Sequence, residues 1–425
     1  MSTLVLGRIK DISFYDLQIS LSEGKTGTVK VYNISNRYKS MLEDVVKDNQ
    51  PKDMPVLTGM FSIGQYLPCL IAKPSDADAS QSSGTGLAKN KLELSANPRD
   101  VNKSVPMHQL NSRMLLYGAI DSIEDHGFTI DLGVPGLVGF LPNSETTEYV
   151  ARCNSGRQLC LGGLVPVRLL DSAPSNGASS LLASSPAMGL SLGETRIVRL
   201  TCHPAKLMSA DRAWPETVPC SFDCLTPGAW LRARVHRVVD RANSKRTSGS
   251  GAGCLIAQFQ GSMLCTVPKS HLIGKLSGYR QGDAILLTLV SIDQSTKTLI
   301  GSCLPHTLPP SVVAPTSDDT DDKDNVTDQV EQPKKKKQKK SSLELTPFSP
   351  SYYCIDRLSV GQTVKDAVVR KDQGQVAKKK KKQGKALAAG LTVGDVVKVR
   401  IVDFSPMDNV AFGSLRPSVL ELPFL

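Results

Sequence analysis

Aromatic residues are scarce in this chain of 425 residues, at 5%, with only two tryptophans. Single-stranded nucleic acids are held largely by rings on which bases stack, so any such surface here rests on few residues. No apolar run approaches roughly 18 residues without a charge or a break, which argues against a membrane-spanning helix. The opening MSTLVLGRIKDISFYDLQISL has no basic start followed by a long apolar stretch, so no secretory signal is expected. The ten cysteines include no C-x-x-C pair and read as reduced intracellular thiols, not as a disulfide frame. Also missing are a phosphate-binding P-loop, G-x-S-x-G and H-E-x-x-H. Cys202-His203 followed by Cys220-x-x-x-Cys224 matches no zinc spacing and is read as incidental. The carboxylates Asp121, Glu124, Asp125 and Asp131 have no evident partner for acid–base work. No enzyme, no metal and no cofactor is therefore expected.

What the chain does have is glycine (33) and proline (26) spread among short apolar runs. The stretch Met114–Glu145, MLLYGAIDSIEDHGFTIDLGVPGLVGFLPNSE, holds three such runs separated by His126-Gly127 and Val134-Pro135-Gly136. Alternating runs bounded by Gly and Pro predict an antiparallel meander. Further runs at 159–170 and 197–201 supply a fourth and a fifth strand, the number an OB-type barrel needs to close. The order of glycines, apolar residues and the G-F-L-P step resembles the S1-type RNA-binding domain.

The same layout recurs at about 100-residue spacing, which marks a tandem array. Residues 4–35 match it, with Gly7 in the place of Gly118, Ile19 in that of Ile130 and Gly27 in that of Gly139. The expected class is all-β: tandem five-stranded OB-type (S1-type) barrels joined by flexible, charged linkers. The units are placed at 1–105, 110–205 and 224–306, with mobile insertions at SDADASQSSGTGLAKN and SAPSNGASSLLASSPAMG. Residues 309–347 carry an acidic block, SDDTDDKD, and a basic one, PKKKKQKKSS, and read as a disordered linker. A fourth unit, 356–420, starts and ends correctly, but its middle reads DQGQVAKKKKKQGKALAAGL. It is expected to be degenerate or incomplete, with poor order over 370–390.

Three phrases narrow the resemblance: KLELSANPRDVN, SIEDHGFTIDLGVPG and RIVDFSPMDNVAFGSLRPSVLE. Together they resemble the ribosomal RNA-processing protein five family (programmed cell death protein eleven type). The last phrase is not shared by S1-type domains at large. Members of that family are longer, with about a dozen S1-type repeats followed by helical repeats, so this chain is expected to be a fragment. The resemblance implies a binding scaffold in nucleus and nucleolus, with precursor ribosomal RNA and pre-ribosome assembly proteins as partners and no membrane.

In barrels of this class, RNA lies across strands two and three, with rings under bases and basic side chains at phosphates. Carried over position by position, the resemblance implies Tyr15 and Lys30 in the first unit. In the second it implies His126 and Phe128, with Pro142 where a histidine is usual and Phe140 pointing into the core. In the third it implies Arg232 and Arg234, beside His236, then Lys269 and His271. His126 stands out because a turn exposes it beside Gly127. The tracts Lys334, Lys335, Lys336, Lys337, Lys339, Lys340 and Lys378, Lys379, Lys380, Lys381, Lys382 suit either nonspecific phosphate contact or a nuclear address. A solvated linker with no partner has the same composition. Two functions remain open: an RNA-binding scaffold, favoured by the net charge of +11, and a protein-interaction array, favoured by the thin aromatic set.

Overall fold

The computed structural model describes residues 3–48, 54–72, 91–152, 156–170, 196–216, 220–239, 253–309, 358, 360–369 and 394–420. Among them strands dominate and helices are few. Barrel 1 comprises β1 (Thr3–Ile12), β2 (Asp16–Ser20), β3 (Thr26–Lys30), β4 (Tyr66–Ile71) and β5 (Lys91–Ser95). Barrel 2 comprises β6 (Leu116–Glu124), β7 (Gly127–Asp131), β8 (Leu137–Pro142), β9 (Leu164–Leu169) and β10 (Arg196–Thr201). Barrel 3 comprises β11 (Trp230–Val239), β12 (Cys254–Phe259), β13 (Met263–Pro268), β14 (Ala284–Asp293) and β15 (Thr298–Ser302). In each, the first strand closes on the fourth and the third lies parallel to the fifth. The fold is thus all-β, built of five-stranded OB-type barrels.

Alternation explains the strands. In β12, CLIAQF, every second side chain is buried, as a curled sheet with one apolar face requires. Each first strand is also broken by a bulge at the same place: Ile9/Asp11, Ile120/Ser122 and Val235/Arg237. An extra residue there bends the strand and lets a sheet of only five strands close.

The recurrence of these glycines and isoleucines at matching places has a packing cause. A methyl added at Gly118 would sit 2.3 Å from Ile130 Cγ2, and one at Gly7 would sit 2.1 Å from Ile19 Cγ2. Ile130 lies opposite Gly139, and Ile19 opposite Gly27. Two glycines thus flank one isoleucine in each of the first two barrels. Barrel 3 fills the same space differently: Ala233, Ala257 and Cys265 stand at the three matching positions, all buried. Volume is conserved while its distribution changes, which cores tolerate.

The junctions between barrels differ from the expected flexible linkers. Asn102, 1% exposed, donates to the carbonyls of Tyr117 and Leu132 at 2.9 and 2.7 Å, tying the end of barrel 1 to barrel 2. Tyr117 and Ala119, on the outer side of β6, are buried in the core cluster of barrel 1. Between barrels 2 and 3, Trp214 is 1% exposed and bridges to Leu231. Arg168 is equally buried, donates to the carbonyls of Leu207 and Arg113, and lies 5.5 Å from the Trp230 ring. Burial holds its guanidinium down at about 10.

Barrels 1 and 3 share a sheet. Thr3, Leu4 and Val5 of β1 pair antiparallel with Asp293, Ile292 and Ser291 of β14. The fourth unit contributes β16 (Thr363–Val368), β17 (Val396–Ser405) and β18 (Val410–Ser414), in the sheet order β16-β17-β18. These correspond to the first, fourth and fifth strands of a barrel. The expected linker disorder over 310–347, the poor order over 370–390, the two insertions and both lysine tracts fall outside the described residues. The β17–β18 turn reaches the seam between barrels 1 and 3, where His306 donates from Nε2 to the Met407 carbonyl at 2.9 Å.

Two outcomes follow from this packing. Gly118→Val is expected to destabilise barrel 2 by about 1–3 kcal/mol through overpacking. Adding Ile130→Ala should recover part of that loss, as the Ala233–Ala257 arrangement of barrel 3 indicates. A double-mutant cycle in urea measures this, and simple additivity of the two changes would rule the explanation out.

The second concerns pH. Burial drives the His306 imidazole down to about 4, with Arg8 and His271 adding repulsion and Asp408 opposing it. Below the ordinary histidine value the unfolded chain takes up a proton that the folded seam refuses. Stability is therefore full above about pH 6.5 and declines as pH falls toward 4. Thermal unfolding across that window should show a slope that His306→Gln removes. An unchanged slope in the variant would contradict this account.

Candidate nucleic-acid interface

The bulges place one side chain of each first strand on the outer face, in line with residues of the second, third and fifth strands. Register makes these rows directly comparable. In barrel 1 the row reads Asp11, Gln18, Thr28, Glu93. In barrel 2 it reads Ser122, Thr129, Phe140, Arg199. In barrel 3 it reads Arg237, Ile256, Thr266, Ile300.

The three rows have different chemistry. Barrel 1 places a carboxylate at each end, which repels phosphate. Barrel 3 sets two isoleucines beside one arginine. Barrel 2 alone among these rows combines a ring with a cation: Phe140 is half-buried beside exposed Arg199, with Val138 and exposed Ile197 in the next row. A base stacked on such a ring leaves its phosphate within reach of the neighbouring cation.

Phe140 therefore does not point into the core as expected. Gly139 and Leu141 on either side of it are buried, and strand alternation turns Phe140 outward. Phe128 shows the converse. It pairs with Ile123 and Leu141, lies on the same side of β7 as the core residue Ile130, and is half-buried against the core. Arg199 was not legible as a site residue, because its place is set by a parallel β8–β10 register that spans more than 50 residues.

The other expected residues are placed as follows. Tyr15 is 79% exposed at the β1–β2 turn beside Phe14, 89% exposed and not singled out by sequence. The Tyr15 carbonyl accepts from the Val31 amide, which ties this turn to the end of β3. Lys30 is exposed, 5.7 Å from the Tyr32 ring and 3.4 Å from Glu93. Its contact with Tyr32, aided by Glu93, raises its pKa. Lys30 and Tyr32 thus form an aromatic–cation pair on barrel 1, partly neutralised by Glu93.

His126 is exposed at the β6–β7 turn between Asp125 and Gly127. The missing side chain of Gly127 serves the fold and not a ligand, since a methyl there would lie 2.4 Å from the Leu141 carbonyl oxygen. Arg232, Arg234 and His236 are exposed along β11, with Arg234 paired to Glu216 at 3.0 Å. Lys269 is half-buried. His271 is 1% exposed, and its Nε2 lies 3.4 Å from Asp408 Oδ1. In this arrangement it is buried and not offered to RNA, with Asp408 of the fourth unit against it.

The cysteine and histidine pairs do not meet. Cys202 donates to the Glu145 carbonyl in barrel 2, whereas the Cys220 amide donates to Gln260 and Cys224 sits beside Gln109 and Ser221. Among the described residues no group of three or more metal-ligating side chains is found, and no helix is long and apolar enough to cross a membrane.

No protein-family model matches the chain. It is 25% identical over 423 residues to the human "Protein RRP5 homolog", covering 99% of this chain and 19% of that protein. It is 28% identical over 160 residues to the "rRNA biogenesis protein rrp5" of Schizosaccharomyces pombe, covering 35% of this chain and 9% of that one. The "rRNA biogenesis protein RRP5" of Arabidopsis thaliana is 24% identical over 311 residues, 71% of this chain and 13% of its own length. This chain thus spans about a fifth of the human relative. A solved multidomain protein with nucleic acid binding domains from Streptococcus pneumoniae covers 71% of this chain and 73% of its own at 12% identity, with a TM-score of only 0.14.

The two histidines should separate experimentally. His126→Ala is expected to leave stability within about 0.5 kcal/mol, as for an exposed turn residue. His271→Ala removes a buried ring and should lower stability by about 1 kcal/mol or more. Urea midpoints measure both, and equal effects would contradict the placement.

Proposed function

We propose that this chain, an RRP5-family protein related to the human, fission-yeast and Arabidopsis proteins above, is an RNA-binding scaffold of ribosomal RNA biogenesis. It binds single-stranded precursor ribosomal RNA to support its processing and the assembly of pre-ribosomal subunits, in the nucleolus, and itself cleaves nothing. The observation that carries the reading is the outer row of barrel 2, where Phe140 lies between Thr129 and Arg199. The exposed rings of Phe14 and Tyr15, and Lys30 beside Tyr32, provide a second, weaker contact. His126 lines the approach to barrel 2, and Arg232 and Arg234 hold phosphates on barrel 3. The units at 1–105, 110–205, 224–306 and 356–420 act together, so that weak sites add through effective concentration. The lysine tracts at 334–340 and 378–382 add sequence-independent attraction or a nuclear address.

A second reading is supported by barrels 1 and 3. A row ending in Asp11 and Glu93, and one carrying Ile256 and Ile300, suit protein surfaces better than phosphate. On this reading those two barrels dock other pre-ribosome assembly factors while barrel 2 reads RNA.

Titration of the full chain against labelled single-stranded RNA at several salt concentrations tests the proposal. Phe140→Ala is expected to weaken binding about tenfold with little change in salt slope, as loss of one stacked base would. Arg199→Ala should weaken it and reduce the slope by about one. Wild-type affinity in both variants, with binding lost only on neutralising the lysine tracts, would confine RNA contact to the tracts.

A further inference from the structure

The phrase DFSPMDN, which no RNA-reading role absorbs, lies at the β17–β18 turn and is seated against two other units. Met407 is fully buried against Leu6 of β1, Val290 of β14 and Tyr66 of β4. Leu6 and Val290 are the next pair in register after Val5 and Ser291, so the methionine fills the point where the ladder between barrels 1 and 3 ends. An unbranched thioether suits a gap between two surfaces that did not fold around it.

Asp408 binds beside it. Its two carboxylate oxygens accept the backbone N–H groups of Glu23 and Gly24 at 3.0 and 2.7 Å. Both residues have positive φ, 62° and 67°, which turns successive amides toward one point and forms a small anion cradle. Ser405 donates to the same carboxylate, and its hydroxyl meets that of Ser20 at 3.3 Å. His306 holds the Met407 carbonyl, Arg8 reaches the Pro406 carbonyl at 3.4 Å, and Lys10 pairs with Asp403 at 2.6 Å.

We propose that the joint of barrels 1 and 3 is a receptor for the turn Ser405–Asp408, and that this turn is a tethered occupant which leaves as a unit and then uncovers His271. Three features of the contact set support it. The seat is built from two barrels that close without the turn, because β1 pairs with β4 and β11 with β14. The turn contributes side chains, carbonyls and the Met407 amide, which donates to the Ser20 hydroxyl, but no strand, to either barrel. One apolar plug and one anion in a cradle are contacts that form and break together. The carboxylate also stands against His271, so the seated turn occupies the place where a phosphate would meet that ring.

Hydrogen exchange and histidine modification on the full chain test this. In the wild type the Glu23 and Gly24 amides should be protected, and His271 should resist diethyl pyrocarbonate. In Met407→Lys and in Asp408→Ala, exchange at Glu23 and Gly24 should rise about tenfold or more and His271 should become reactive, while amides of Leu17 and Ile19 stay protected. Adding a cyclised peptide of residues 402–413 to Met407→Lys should restore protection in trans. Unchanged exchange at Glu23 and Gly24 in both variants would overturn the proposal. So would loss of protection throughout β1–β5, because the turn would then be part of the barrel fold and not a separable occupant. Failure of the peptide to restore protection counts against it equally.

Discussion

Strand β1 has more backbone edge than one barrel can use, and the arrangement of the units follows from how that edge is satisfied. One side pairs with β4 over Leu4–Arg8, closing barrel 1. The other side pairs with β2 only from Arg8 onward, which leaves the amides and carbonyls near Thr3–Val5 without a partner inside the barrel. Open strand edges are costly when buried and prone to unwanted pairing when exposed. Here β14 of barrel 3 takes that edge, and residues almost 300 positions apart in sequence pair to join the two barrels in one sheet. Barrel 2 is then held against barrel 1 through Tyr117, Ala119 and Asn102, and against barrel 3 through Trp214.

Fixing the barrels in this way gives each outer face a separate fate. The face of barrel 2 carries its ring and its arginine outward. The face of barrel 1 keeps its acidic row and concentrates its rings at the β1–β2 turn. On barrel 3 the buried His271 lies against Asp408 of the fourth unit. Repetition of a fold therefore does not repeat a site, since strand pairing and core packing constrain the inward residues while outward ones remain free to differ. A likeness shared with RRP5 proteins at about a quarter identity is what such freedom permits.

The seam shows a similar division between packing and charge. Met407 gives the fourth unit its apolar anchor, while Asp408, His271 and His306 bring titratable groups into a buried space. Asp408 remains ionised despite burial because the His271 ring, the Ser405 hydroxyl and the Gly24 amide all favour its charged form. Buried groups held by such specific partners set orientation more than they add stability.

Sequence alone determined what period and turn chemistry encode locally. The five strands of barrel 2, the matching glycines of barrels 1 and 2, and the recurrence of the unit were all legible, because alternation and Gly/Pro punctuation are properties of neighbouring residues. Side-chain direction was less so: Phe140, read as pointing inward, turns outward, and Phe128 lies half-buried against the core, since one slip of register in a period of two inverts every side chain. Tertiary structure alone decided three things. It set Arg199 beside Phe140 across a parallel pairing, turned the β1 edge toward β14, and buried His271 beneath a turn from the fourth unit. Each joins residues tens to hundreds of positions apart, and no local pattern carries that information.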